Sequence, residues 1–178
     1  MGDLSSIDSP IQLPFEAKYI SCGTDITAFI DLNNKIWTFG KNENGQLGLG
    51  HTANVYLPSQ IKGHEAKYIS CGLDHMAFID LNDYVWMCGG NRKGQLGLGH
   101  YDEIMIPEKI EDFKVKSVVC GYEYTLFIDV NDNLWICGVS EFDSLIDLGI
   151  NKPVKIDNFR ALQAAAGFNN FMVIGYHE

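Results

Sequence analysis

The chain has 178 residues, which suits one ordinary domain or an array of smaller repeated units. Hydrophobic residues make up 46% of it and charged residues 20%, a balance that excludes a disordered polypeptide. Acidic residues outnumber basic ones by 23 to 13, giving a formal charge of −10. Such a chain repels phosphate backbones, so we expect no direct binding to nucleic acid.

The five cysteines are an odd number, and no secretory signal opens the sequence. A disulfide framework would leave one thiol over, so we expect a reducing, intracellular compartment, with cytoplasm and nucleus not distinguished. No apolar run approaches the ~20 residues that a membrane-spanning helix needs, so we expect no membrane partner.

Three segments repeat along the chain with a step of 49 residues: 17–23, 66–72 and 115–121. The tryptophans keep the same step, as Trp37, Trp86 and Trp135. The repetition divides the chain into an N-terminal lead with a first outer strand, three repeats and a partial fourth repeat, with the bounds 1–16, 17–65, 66–114, 115–161 and 162–178.

Within each repeat, short β-favouring segments flank an Asp/Asn-rich segment, at 31–35, 80–84 and 129–133. Asn and Asp tolerate positive φ, so each segment predicts a hairpin turn. Only 159–166 could be mistaken for a helix, and its alignment with 115–121 indicates a strand. Four strands per repeat, with glycine and tryptophan at fixed offsets, predict an all-β fold: a partial β-propeller of about three and a half four-stranded blades.

The stretch from Cys71 to Gly99 reads Cys-Gly-x-x-His-x-x-Phe-Ile-Asp and continues to Gly-Gln-Leu-Gly-Leu-Gly. It resembles the repeat of the regulator of chromosome condensation family, whose members form seven-bladed propellers. The family's histidine is present only as His75, and the resemblance implies that it packs and hydrogen-bonds within its blade. Elsewhere the position holds Ile26, Tyr124 or Asn170, and 143–149 lacks the glycine loop.

A ring of seven such repeats would need about 343 residues, so this chain supplies about half of one. Leaving roughly 500 Å² of apolar surface bare at the open ends would forfeit about 12 kcal/mol. We therefore expect the ends to be covered. A homodimer that closes the ring, a longer parent chain and a marginally stable truncated product all remain open.

The sequence predicts no catalytic, cofactor-binding or metal-binding residue. Gly48-Leu49-Gly50 resembles a dinucleotide fingerprint, but no helix follows to hold a phosphate, so we interpret the loop as tight turns. Cysteines that recur every 49 residues lie about a blade apart, too far for one zinc ion. No serine or cysteine is spaced to act with His75.

One repeated acid lies two residues after the repeat glycine in each blade: Asp25, Asp74 and Glu123. Equivalent loops of a propeller gather on one face, where such acids would attract a cationic partner. Aromatic residues at the same rim are candidate anchors for that partner: Tyr122, Tyr124 and Phe168. Turn chemistry is the alternative interpretation of the acids, and the second repeated set, Asp31, Asp80 and Asp129, is interpreted as structural.

The leading functional hypothesis is therefore a non-catalytic module that binds a protein partner. The alternative, taken from the resemblance, is guanine-nucleotide exchange on a small GTPase. Exchange in that family depends on insertions that project from the propeller, and repeats of about 49 residues leave little room for one.

Overall fold

A computed structural model describes residues 15–138, 150–168 and 170–176 of the chain. These residues contain no helix, and so none that could cross a membrane. They form eleven strands in chain order: β1 Ala17–Cys22, β2 Ile26–Asp31, β3 Lys35–Gly40, β4 Val55–Cys71, β5 His75–Asp80, β6 Tyr84–Gly89, β7 Ile104–Cys120, β8 Tyr124–Asp129, β9 Asn133–Gly138, β10 Ile150–Ala166 and β11 Phe171–Tyr176.

Each strand pairs antiparallel with the next one along the chain, and the pairing divides into blades. Blade 1 contains β1, β2, β3 and the first half of β4. Blade 2 contains the second half of β4, β5, β6 and the first half of β7. Blade 3 runs likewise from β7 to β10, and blade 4 contains the second half of β10 and β11. The prediction of an all-β partial propeller is confirmed, and 159–166 is strand.

The blades are joined by continuous strands of 17 residues, where the sequence suggested separate short ones. In β4, Glu65 pairs with Lys35 of blade 1, and the next residue, Ala66, pairs with Asp80 of blade 2. Just before each change of partner the backbone takes a positive φ, at Gly63, Asp112 and Asn158. A single left-handed residue therefore turns the chain into the next blade without a loop.

The Asp/Asn-rich segments form the hairpin turns that the sequence predicts. In the first, Asp31 Oδ1 accepts hydrogen bonds from the amides of Asn33 and Lys35, at 2.8 and 2.9 Å. Asn34 takes a φ of 65°, and its equivalents Asp83 and Asp132 also have positive φ. The other carboxylate oxygen accepts the indole N–H of Trp37 at 3.0 Å. The repeated aspartates thus tie each hairpin to its tryptophan.

The glycine loops are closed by one asparagine each. Asn42 Oδ1 accepts the amide of Leu47 at 2.9 Å, while its Nδ2 donates to the carbonyls of His51 and Ala53. Asn91 makes the same bonds in blade 2. The glycines here take positive φ, which agrees with their interpretation as turn residues. The corresponding segment 143–149 and most of the lead 1–16 lie outside the described residues.

The core lies between the blades, because each blade covers one face of its neighbour. Ile69 and Val118 are buried against the preceding blade, whereas their equivalent in blade 1, Ile20, is 63% exposed. At the other end Leu126 is buried, and its equivalent in blade 4, Met172, is 72% exposed. The blade-to-blade contact therefore supplies the burial that an isolated sheet lacks.

The cysteines act as small apolar residues of this core, with one exception. The four buried ones are Cys71, Cys88, Cys120 and Cys137. Burial raises their pKa, to about 12 for Cys120, so the thiols stay protonated. Cys22 is exposed, because no described residues cover that side of blade 1.

Candidate functional site

Four equivalent turns meet at one end of the blades, each joining the first strand of its blade to the second. We call this surface the turn face; its residues are 23–25, 72–74, 121–123, 167–168 and 170. Together these turns border a cleft of about 240 Å³, lined by Gly23, Thr24, Cys71, Gly72, Leu73, Cys120, Gly121, Tyr122, Ala166, Gly167 and Phe168. All four blades therefore contribute to one surface feature.

Glycines allow the turns to approach so closely. A Cβ on Gly23 would lie 2.2 Å from the carbonyl oxygen of Gly72, and one on Gly72 would lie 2.5 Å from the carbonyl oxygen of Gly121. The amide of Thr24 also donates to Gly72, at 3.3 Å. Since any side chain at these glycines would force neighbouring turns apart, the repeat glycine sets the width of the cleft.

The three predicted acids occupy equivalent positions on the turn face but differ in exposure and in hydrogen bonding. Asp25 is exposed and Glu123 is half-buried. Asp74 accepts hydrogen bonds from the side-chain amides of Asn44, at 3.3 Å, and Gln95, at 3.2 Å. Burial raises the pKa of Asp74. Its carboxylate is thus partly engaged in holding the glycine loops, which leaves Asp25 and Glu123 as the freer charges.

Two of the three predicted aromatic anchors lie together. The ring centroids of Tyr122 and Phe168 are 3.7 Å apart across the junction of blades 3 and 4, and Phe168 is 61% exposed. The prediction that Tyr124 is an anchor is wrong, because this residue is only 1% exposed. Its hydroxyl donates to the carbonyls of Gly167 and Asn170, at 3.2 and 2.7 Å, so it holds blade 4 against blade 3.

The imidazole of His75 makes its hydrogen bond to the next blade and not within its own, which corrects the expectation from the family resemblance. The hydroxyl of Thr125 in blade 3 donates to the carbonyl of Gln95 at 2.7 Å, so its oxygen accepts from His75 Nε2 at 2.9 Å. Nδ1 is buried without a hydrogen-bond partner and lies 3.9 Å from Asp74 Oδ1. Burial lowers the pKa of His75 to about 4, so the ring is neutral at pH 7.

No group of three or more His, Cys, Asp or Glu side chains is arranged to hold a metal ion within 15–138, 150–168 and 170–176. The described site therefore consists of turns, two apposed aromatic rings and carboxylates. Such an arrangement suits contact with another macromolecule, because aromatic anchors and complementary charges are what protein interfaces use.

The blades and their converging turns define a protein of the β-propeller-repeat class. The family model described as the Regulator of chromosome condensation (RCC1) repeat matches residues 33–79 and 82–128, and a second RCC1-repeat model matches 17–46 and 66–95. These matches cover more than half of the chain, and the chain belongs to the regulator of chromosome condensation repeat family.

Two curated proteins match short stretches of the chain. It is 46% identical over 50 residues to the probable E3 ubiquitin-protein ligase HERC3 of Homo sapiens, covering 28% of this chain and 5% of that protein. It is 49% identical over 43 residues to the X-linked retinitis pigmentosa GTPase regulator of Mus musculus, covering 24% and 4%. The chain thus spans a small part of either relative.

The crystal structure of Prp20p from Saccharomyces cerevisiae shares the fold, with a TM-score of 0.81 at 18% sequence identity. The likeness covers 92% of this chain and 44% of that one. Prp20p itself has binding properties toward Gsp1p and histones.

Proposed function

We propose that this chain is a non-catalytic protein-interaction module whose turn face binds a protein partner that carries a basic patch. The observation that supports this most is the convergence of four turns on one cleft, with the Tyr122–Phe168 pair at its rim. Asp25 and Glu123 lie in turns of the same face and add negative charge to it. A face that carries both an exposed aromatic anchor and carboxylates matches a partner that combines apolar and cationic side chains.

The comparisons support this proposal at the level of the family. Prp20p, a protein of the same fold, binds Gsp1p and histones. The relatives named as a ubiquitin-protein ligase and a GTPase regulator share with this chain only short stretches of repeat. The same kind of repeat occurs in a protein named as a ligase and in one named as a GTPase regulator. We therefore assign to the repeats a binding role and no catalytic step.

The experiment measures association with a fluorescein-labelled 20-residue poly-lysine peptide as the cationic probe. The double change Asp25→Asn and Glu123→Gln is expected to slow association several-fold at low salt and to flatten its salt dependence. The control is Glu16→Gln with Asp157→Asn, which changes the net charge equally at exposed positions outside the turn face. Equal association rates for the two double variants would overturn the proposed role of the turn face.

Guanine-nucleotide exchange is the alternative function, and a direct assay separates the two. The module proposal expects that labelled GDP leaves each of a panel of small GTPases at its spontaneous rate in the presence of the chain. Accelerated release from any of them would replace the module by an exchange factor.

We further propose that two copies of this chain associate through their end faces to close a propeller ring. Met172 and Ile174 occupy positions that are buried in blade 3, as Leu126 and Ile128, but are exposed in blade 4. Ile20 at the opposite end is exposed where its equivalents are buried. A blade 1 placed on the blade 4 of another copy would repeat the contact that already joins the blades within the chain.

A further inference from the structure

A groove of about 600 Å³ runs along the outer rim between blades 2 and 3, away from the turn face. Its floor is apolar and consists of Leu98, Ile110, Phe113, Trp135 and Pro153. The rings of Phe113 and Trp135 meet edge to face with centroids 5.4 Å apart, so the floor is fixed by packing. A groove with this volume and an apolar base has the dimensions of a binding cleft.

One wall of this groove, which we call the rim groove, is acidic. Glu108, Glu111 and Asp112 lie along it and are exposed. Glu111 Oε2 pairs with Lys109 Nζ at 3.4 Å, and that same ammonium lies 4.8 Å from the ring centroid of Tyr84. Within the described part of the chain, neither Glu108 nor Asp112 has an ion-pair partner. Lys109 is thus already engaged, and two carboxylates remain to meet a cation.

The opposite wall carries less charge. Lys152 and His100 line it. His100 Nδ1 lies 3.7 Å from Asp102 Oδ2, so this histidine faces a carboxylate of its own loop. The free negative charge is therefore concentrated on the wall formed by 108–112, and an occupant would place its cation there.

Glu108 and Asp112 are peculiar to this blade, because the strand register gives Val154 and Asn158 as their counterparts in blade 3. Strand register places Ser59 opposite Thr38 in blade 1 where Glu108 is opposite Met87 in blade 2. The repeat step gives Lys62 and Gly63 as the counterparts of Glu111 and Asp112. The fold forms equivalent strands with either set of residues, so blade geometry does not require the acids. The smaller groove beside blade 1, of about 390 Å³, has Gly63 in place of Asp112. Its two acids are already bound, Glu65 to Lys35 and Asp80 to the indole of Trp86.

We propose that the rim groove binds an extended peptide of a partner protein, in which a large apolar side chain is flanked by lysine or arginine. The apolar side chain would lie on the floor over Phe113 and Trp135, and the cation would meet Glu108 and Asp112. The two free carboxylates decide the sign of the partner's charge, and the ring pair decides the need for an apolar anchor. This site is separate from the turn face and shares no residue with it.

The test selects random 12-residue peptides displayed on phage against the immobilised chain and measures the enriched peptides by fluorescence anisotropy. The comparison variant carries Glu108→Ser, Glu111→Lys and Asp112→Gly, which are the residues of blade 1. We expect enriched sequences that pair Leu, Phe or Trp with Lys or Arg, and affinities at least about tenfold weaker for the variant. No enrichment, sequences without this pairing, or equal binding to the variant would each overturn the proposal.

Two further variants keep the outcome interpretable. Glu108→Gln with Asp112→Asn removes the charges with little change of shape, and it serves if the triple variant loses its cooperative unfolding transition. Asp25→Asn with Glu123→Gln is expected to bind the selected peptides as the unaltered chain does, because it changes only the turn face. Loss of binding in this turn-face variant and not in the rim-groove variants would assign the peptides to the turn face.

Discussion

The backbone amide of Cys120 donates a hydrogen bond to Ser70 Oγ across the junction of blades 2 and 3, at 3.0 Å. Cys71 and Ser21 make the same bond one blade earlier, also at 3.0 Å. In blade 3 the serine position is Val119, whose side chain cannot accept a hydrogen bond. The inner strands are thus joined by a repeated side-chain bond at two junctions, in addition to apolar packing.

Replacement of Ser70 by alanine is expected to destabilise the chain by about 1–3 kcal/mol, because it leaves the buried amide of Cys120 without an acceptor. Ser21→Ala is the matched control and should cost less, since the Ser21 junction is only part-buried. Urea unfolding at pH 7 measures both. Equal costs for the two substitutions would show that burial does not set the strength of this bond.

Asp129→Asn is expected to destabilise blade 3 by about 1.5–3 kcal/mol at pH 7, since hydrogen bonds to a charged group are lost. Burial alone would raise the pKa of Asp129, but hydrogen bonds from Asn133 and Trp135 lower it. Because the pKa of Asp129 is lower in the folded chain, its carboxylate stabilises the fold at pH values above the ordinary pKa near 3.8. This stabilisation is lost as the pH falls through the lowered pKa and the carboxylate becomes protonated. The difference between the two proteins should therefore shrink in acid.

Urea unfolding at pH 7 and near pH 3 measures that difference. Asp157→Asn, which removes one carboxylate at an exposed position, serves as the control. A cost for Asp129→Asn that stays constant with pH would contradict the assigned role of its charge.

Lowering the pH from 6.5 to 4 is expected to cost the folded chain about 3 kcal/mol through His75, whose pKa drops from 6.5 to about 4 on burial. The unfolded chain binds the proton in this range and the folded chain does not, so stability falls with pH. The raised pKa of Asp74 acts in the opposite direction in all variants. His75→Gln should flatten the profile between pH 6.5 and 4. Thermal unfolding across this pH range supplies the measurement.

The proposed closure of a ring by two copies makes a prediction about mass in solution. Light scattering should give twice the chain mass, and Met172→Lys with Ile174→Lys should convert it to a single chain, because the change charges the exposed face of β11. Leu57→Lys is the control at an equally exposed apolar residue outside that face. A monodisperse single chain at every concentration would remove this proposal.

The repeat step of 49 residues was sufficient to predict the blades, the hairpins and the turns that converge, because segments of similar sequence that recur at a fixed step form equivalent structures. It did not predict the partner of His75, since a hydrogen bond between blades pairs residues 50 positions apart and leaves no local pattern. The burial of Tyr124 was missed for the same reason. In the sequence Tyr124 follows the turn directly, which suggests an exposed position. It is buried because blade 4 packs over it.

The sequence did not predict the rim groove, because the repeat pattern indicates only those residues that recur from blade to blade. Glu108 and Asp112 occupy positions where the other blades have different residues, so the repeat pattern does not include them. The useful signal was the departure from the repeat at positions where strand pairing stays the same.

The 17-residue strands β4, β7 and β10 have a consequence for how the array comes apart. Each of these strands forms the outer strand of one blade and the innermost strand of the next. If one blade unfolds, the strand that it shares with the next blade is therefore also disturbed. Loss of order in one blade is therefore passed along covalently, and the array is expected to melt as one unit instead of shedding its blades singly.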